Sequence, residues 1–160
     1  MTIRAVVICL IVLGLPSLFA QTLAQSDAIS KTIKVGFIKN KDSFLDGGGC
    51  SLQLPTDYKK HNERYIFLSD VEDHAVINIE GKDTKLKLVS RQEPKGEPKR
   101  GDRSKWIYAG NETKVQVDFV VTGGCDPNDE GCEVIFYDAT ITVTRDQVNQ
   151  VIRVKGVCGS

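Results

Sequence analysis

Residues 114–121 read KVQVDFVV. Val115, Val117, Phe119 and Val121 share one parity, and Lys114, Gln116 and Asp118 hold the other. Side chains on a strand point alternately to opposite faces, so this is a strand with one dry and one wet side. The same two-residue period continues outward. Downstream, Ile141 and Val143 alternate with Thr140, Thr142 and Thr144, and Ile152 and Val154 alternate with Arg153 and Lys155. Upstream, Leu86 and Leu88 alternate with Lys85 and Lys87, and Ala75, Ile77 and Ile79 share a face. TIKVGFI (residues 32–38) and YIFL (residues 65–68) complete the set. β-branched and aromatic residues crowd these runs, which favours strand over helix. Between them lie turn signals: Glu80-Gly81-Lys82-Asp83 at hairpin spacing, Asn111, Asp146, and Asp46-Gly47-Gly48-Gly49 ahead of Cys50. The expected fold is all-β, with about eight to ten short strands in a single small antiparallel β-barrel or sandwich. No amphipathic helix of ten residues or more is predicted, and Asp57–Glu63 has room for one helical turn.

The 160 residues carry 21 Lys+Arg against 21 Asp+Glu, a net charge of zero. That length suits one domain. The charge balance argues against a strongly basic nucleic-acid binder and against an acidic disordered tail. Residues 1–24 follow a secretory pattern: Arg4 as a short positive region, Ala5 to Leu15 as an uncharged apolar run, Pro16 as a breaker, and Thr22-Leu23-Ala24 as small cleavage-site residues. The apolar run is shorter than the ~20 residues that span a bilayer, so no membrane span is expected. The reading is therefore a signal peptide at 1–24, a flexible lead-in at 25–30 and one β domain at 31–160, secreted or periplasmic.

Cleavage would remove Cys9 and leave Cys50, Cys125, Cys132 and Cys158. An even number of cysteines in an exported chain implies a disulfide framework, here two bridges. Four cysteines allow three pairings. The favoured one joins Cys125 to Cys132 across the turn CDPNDEGC and Cys50 to Cys158 across most of the domain. The long bridge should contribute about 4–5 kcal/mol through chain entropy. A zinc or redox site fits less well, because no CxxC occurs and neither histidine neighbours a cysteine.

One break in the alternation is long: residues 91–104, RQEPKGEPKRGDRS, with two prolines, two glycines and many charges. It reads as a protruding surface loop. It contains Arg100-Gly101-Asp102, which resembles the integrin-recognition tripeptide, and leads into Arg103, Ser104, Lys105 and Trp106. Arg100, Asp102, Arg103, Ser104, Lys105 and Trp106 are the candidate partner-binding set. Asn111-Glu112-Thr113 is an N-glycosylation pattern. Asp70, Glu72, Asp73 and His74 could group oxygen and nitrogen ligands, and residues 126–130, DPNDE, place oxygens at alternate positions. Both read better as acidic turns, since neither spacing matches a known metal loop. No GxSxG elbow and no Gly-rich strand-to-helix phosphate loop occurs. No enzyme activity, metal or cofactor is expected.

The stretch Ala75–Glu112, about a quarter of the chain, resembles the membrane-bound and periplasmic inhibitors of c-type lysozyme. AVINIEGKDTKLKLVS follows their strand pair, and GDRSKWIYAGNE stands where that family has a serine-glycine loop, a tryptophan strand and a Lys-Gly-acid turn. The serine-glycine loop is not reproduced, and Ala109 replaces the lysine before Gly110. The resemblance implies a small β-barrel whose Arg103, Ser104 and Lys105 would be the inhibitory contacts, with Trp106 anchoring the loop base. The functional expectation is a non-enzymatic binding module that presents its charged loop to an unknown protein or glycan. The alternatives are a lysozyme inhibitor and a structural envelope or matrix component.

Overall fold

The structure is a computed structural model, and residues 32–41, 48–124 and 133–159 are described. The strands among them are β1 (Val35–Gly36), β2 (Gly49–Gln53), β3 (Tyr65–Ser69), β4 (His74–Ile79), β5 (Lys82–Gln92), β6 (Arg103–Gly110), β7 (Thr113–Gly124), β8 (Val134–Arg145) and β9 (Val148–Gly159), with one short helix, α1 (Pro55–Lys59), after β2. Neighbours pair in the order β1-β4-β3-β2-β9-β8-β7-β6-β5, and β5 pairs again with β4. That last pairing closes eight strands, β2 to β9, into an antiparallel barrel, with β1 added against the end of β4. Of the barrel-or-sandwich expectation, the barrel is what forms.

Alternation sets what lies inside. Val115, Val117 and Phe119 of β7, Ile141 and Val143 of β8, Val154 of β9, Leu52 of β2 and Tyr108 of β6 are all buried in one core. Eight strands leave an interior just wide enough for side chains to fill. Here it is filled: the Phe67 and Tyr108 rings meet edge to face at 5.3 Å, and Phe119 contacts both Trp106 at 4.8 Å and Tyr137 at 5.2 Å. The strands β2 and β9 approach so closely that a Cβ on Gly156 would lie 1.9 Å from the Ser51 carbonyl oxygen, which requires glycine there. In the same strand pair Cys50 stands opposite Cys158, and their sulfurs are bonded.

The structure refines several sequence expectations. The Cys50–Cys158 bridge is present, and it is the one disulfide among the described residues rather than two. Cys125 and Cys132 lie outside those residues, as do the signal segment 1–24 and the lead-in 25–30. The helical turn expected at Asp57–Glu63 starts earlier, at Pro55, because proline suits the first helical turn where no amide donor is needed. The loop drawn at 91–104 is shorter. Arg91 and Gln92 belong to β5, and Arg103 and Ser104 to β6, since the ladder pairs them before the chain leaves the sheet. No helix among the described residues is long and apolar enough to cross a membrane.

Candidate binding site at the loop end of the barrel

One end of the barrel carries the β3–β4 turn, the β5–β6 loop and the disulfide. Its central feature arises from a bulge. Leu88 pairs with Tyr108, Val89 is left out of the ladder, and Ser90 then pairs with Ile107. One extra residue reverses parity. Arg91 therefore comes opposite Trp106 at the barrel rim, with its side chain still exposed. Its guanidinium lies over the Trp106 ring, 4.1 Å from the centroid. Arg91 Nε is 3.8 Å from Glu93 Oε1, and the same oxygen accepts a hydrogen bond from Trp106 Nε1 at 3.1 Å. A cation over an indole contributes about 0.5–1 kcal/mol at a partly exposed site, so this trio holds the loop's first residue against the barrel rim.

Below it lies Tyr108. Burial pushes its phenol up to about 12, against hydrogen bonds from Ser69 and Arg91 that favour the charged form. The Ser69 hydroxyl oxygen also accepts from the Cys50 amide at 3.3 Å. Burial, with a contribution from the Glu93 charge, likewise raises the Tyr137 phenol. The rim is thus an arginine and a glutamate set over neutral aromatic rings.

The loop Glu93–Asp102 is pinned at its far base. Gly101 N–H donates to the Val121 carbonyl and Val121 N–H to the Asp102 carbonyl, both at 2.9 Å. Asp102 Oδ2 accepts from the Lys99 amide at 2.8 Å. In the Arg-Gly-Asp tripeptide, therefore, Arg100 is exposed while the Asp102 carboxylate is turned back on its own turn. Arg103, Ser104 and Lys105 stand in β6, opposite Val120, Phe119 and Asp118 of β7. Trp106 is a buried strand residue. Of the six predicted residues, Arg100 and Asp102 sit in the loop and the other four in the sheet beneath it.

The outer face next to the loop carries two rows of side chains, polar except for Val120. Ladder register places Arg103, Val120, Asp138 and Lys155 in one row, and Lys105, Asp118, Thr140 and Arg153 in the next. Lys105 pairs with Asp118 at 3.8 Å, and Lys155 pairs with Asp138. Two hollows lie here: one of about 420 Å³ against Gln92, Glu93 and Pro94 at the loop base, and one of about 260 Å³ over β7 to β9. Arg103 and Asp118 line both, so the hollows form one groove. Sequence reading missed Arg91, Glu93, Tyr108, Asp118, Asp138, Arg153 and Lys155. The alternation at 114–121 and 152–155 already put Asp118, Arg153 and Lys155 on the wet face, and only the register joins them.

Other candidates are separate from this groove. Asp70 Oδ1 accepts from the amides of Glu72 and His74, both at 2.8 Å, and its Oδ2 lies 3.3 Å from His74 Nδ1, so this carboxylate organises the β3–β4 turn. No group of three or more His, Cys, Asp or Glu among the described residues is placed to hold a metal ion. Residues 126–130 lie outside the described residues. Asn111 is exposed, at the barrel's opposite end. Fold and site together define a small filled barrel with a charged loop on one rim and a groove on the adjoining face. No protein family, curated protein or solved structure matches the chain.

Proposed function

We propose that this protein is an exported, non-enzymatic binding module whose partner, a protein or a glycan, engages the loop end of the barrel. The observation that carries the reading is the loop Glu93–Asp102, pinned at both bases to a closed barrel beside a polar groove. Because the interior is packed with side chains, a partner meets this protein from outside. Rigid sheets that display a charged loop are a common way to build recognition sites. The Cys50–Cys158 bridge supports an oxidising compartment.

Deleting Pro94–Arg100 tests the reading, since Gly101 and Asp102 keep their ladder-end bonds. Mature protein and deletion variant are immobilised and challenged with envelope glycans and with c-type lysozyme. The expected result is retention by the intact protein only, at unchanged melting temperature. Equal retention by both proteins would remove the loop from the site. Inhibition of lysozyme-driven cell-wall lysis that disappears in the Ser104→Ala, Lys105→Ala double variant would identify the partner as that enzyme.

A further inference from the structure

We propose that the partner is an acidic glycan and that it lies in the groove across β6, β7, β8 and β9. This rests on the loop end being a binding site and goes further, by naming the ligand class and the residues that select it.

The groove holds four cations, Arg103, Lys105, Arg153 and Lys155, and three carboxylates, Glu93, Asp118 and Asp138, a net of +1. Lys105 and Lys155 are neutralised by Asp118 and Asp138. Arg103 and Arg153 have no ion-pair partner among the described residues. They stand in adjacent rows at opposite sides of the groove, on β6 and β9. In a chain of zero net charge, this face carries a local excess of guanidinium. A guanidinium takes a carboxylate or sulfate bidentately, so the excess suits an anion.

The loop adds to it. Of its carboxylates, Glu93 is engaged by Arg91 and Trp106, and Asp102 by its own turn. Lys95, Lys99 and Arg100 remain exposed beside Glu97.

The other lining groups favour a sugar among anions. Asp118, Asp138, Thr140, Ser104 and Gln92 accept from or donate to hydroxyls. Three carboxylates in the groove would repel a chain of closely spaced phosphates, whereas a uronate polymer offers hydroxyls to them and carboxylates to the arginines. A protein partner would call for an apolar, aromatic centre. Among the described residues the exposed large apolar side chains are Val71, Val89 and Val151, and none of them lines the groove; Phe119, Val120, Ala139 and Val154 do line it but are buried or half-buried. Four strands spaced about 4.8 Å apart give a track of about 14 Å, long enough for a short oligosaccharide. The larger hollow, about 420 Å³, falls within the range that small ligands occupy.

The test titrates mature protein with an oligouronate, a neutral glucan of the same length and an oligothymidylate, by calorimetry at low salt. Binding is expected for the oligouronate alone. It should weaken by about tenfold or more in the Arg103→Gln, Arg153→Gln variant, as the loss of two charge-assisted contacts implies. It should also weaken at about 0.5 M salt, where screening shortens the reach of the charges. Both arginines are exposed, so the variant should keep its circular dichroism and melting temperature. Equal binding of the glucan would overturn the charge argument, and equal binding of the oligothymidylate would overturn the glycan assignment. Failure of every oligouronate titration, with loop-dependent capture of lysozyme or another protein intact, would overturn this inference while leaving the binding-module reading in place.

Discussion

The two ends of the barrel are built from the same strands and differ in how the chain turns around. At one end three hairpins reverse in two residues each: Glu80-Gly81, Asn111-Glu112 and Asp146-Gln147, all with positive φ. Paired positive φ values mark the turn whose twist matches that of the strands it joins. At the other end β5 and β6 are separated by ten residues, Glu93–Asp102, and the rim below collects Arg91, Trp106, Tyr108 and Ser69. A two-residue turn leaves no backbone to display side chains. Where the backbone is longer, the rim orients charge, and recognition can be added without altering the core. The comparison assigns geometry to one end and chemistry to the other.

The largest test of that division is the disulfide, which ties the loop end across a sequence separation of 108 residues. The Cys50→Ala, Cys158→Ala variant should lose about 4–5 kcal/mol in urea unfolding, the chain-entropy value for so long a loop. A loss under about 1 kcal/mol would mean that the ladder alone secures this end.

Next comes Tyr108. Its phenol stands at about 12 in the folded protein against an ordinary value of 10. Stability is therefore full below pH 10 and falls as the pH rises from 10 towards 12, because the unfolded chain ionises first. The total is about 2–3 kcal/mol. Tyr108→Phe should flatten that alkaline limb and cost about 1 kcal/mol at neutral pH through the lost hydrogen bond with Ser69. An unchanged limb would place the alkaline sensitivity elsewhere.

The smallest effects belong to the hairpin end. Glu112 and Gln147 hold left-handed conformations, with φ of 59° and 64°. Glu112→Gly and Gln147→Gly should each stabilise by about 1 kcal/mol by relieving the Cβ clash. Thermal melts that show destabilisation would remove the view that these turns are set by backbone geometry alone.

Most of the fold was legible in the sequence because strand parity is a local property. Val115, Val117 and Phe119 declare their face without reference to any partner, and Glu80-Gly81 declares its turn. Barrel closure was not legible, since the β4–β5 hairpin is local while the β2–β9 pairing joins residues about a hundred positions apart. The site was legible only in part. The loop stood out by composition, but Arg91 looked like its first residue until the bulge at Val89 set it opposite Trp106. Arg103 and Arg153 are unremarkable wet-face cations in their own strands, and only the registers of three ladders bring them to one groove.

The β2–β9 pairing has a consequence in time. Strands β5 to β8 form a meander whose neighbours are consecutive, so they can zip from one hairpin to the next. The ring closes only when β9, the final strand, returns to β2 and brings Cys158 to Cys50. A contact of such high sequence separation must meet its loop-closure entropy before it stabilises anything, and topologies rich in such contacts fold in about milliseconds to seconds. Until then Leu52 and Phe67 lack the far wall of their core. The last ladder to form, rather than any single hairpin, decides when the barrel becomes native.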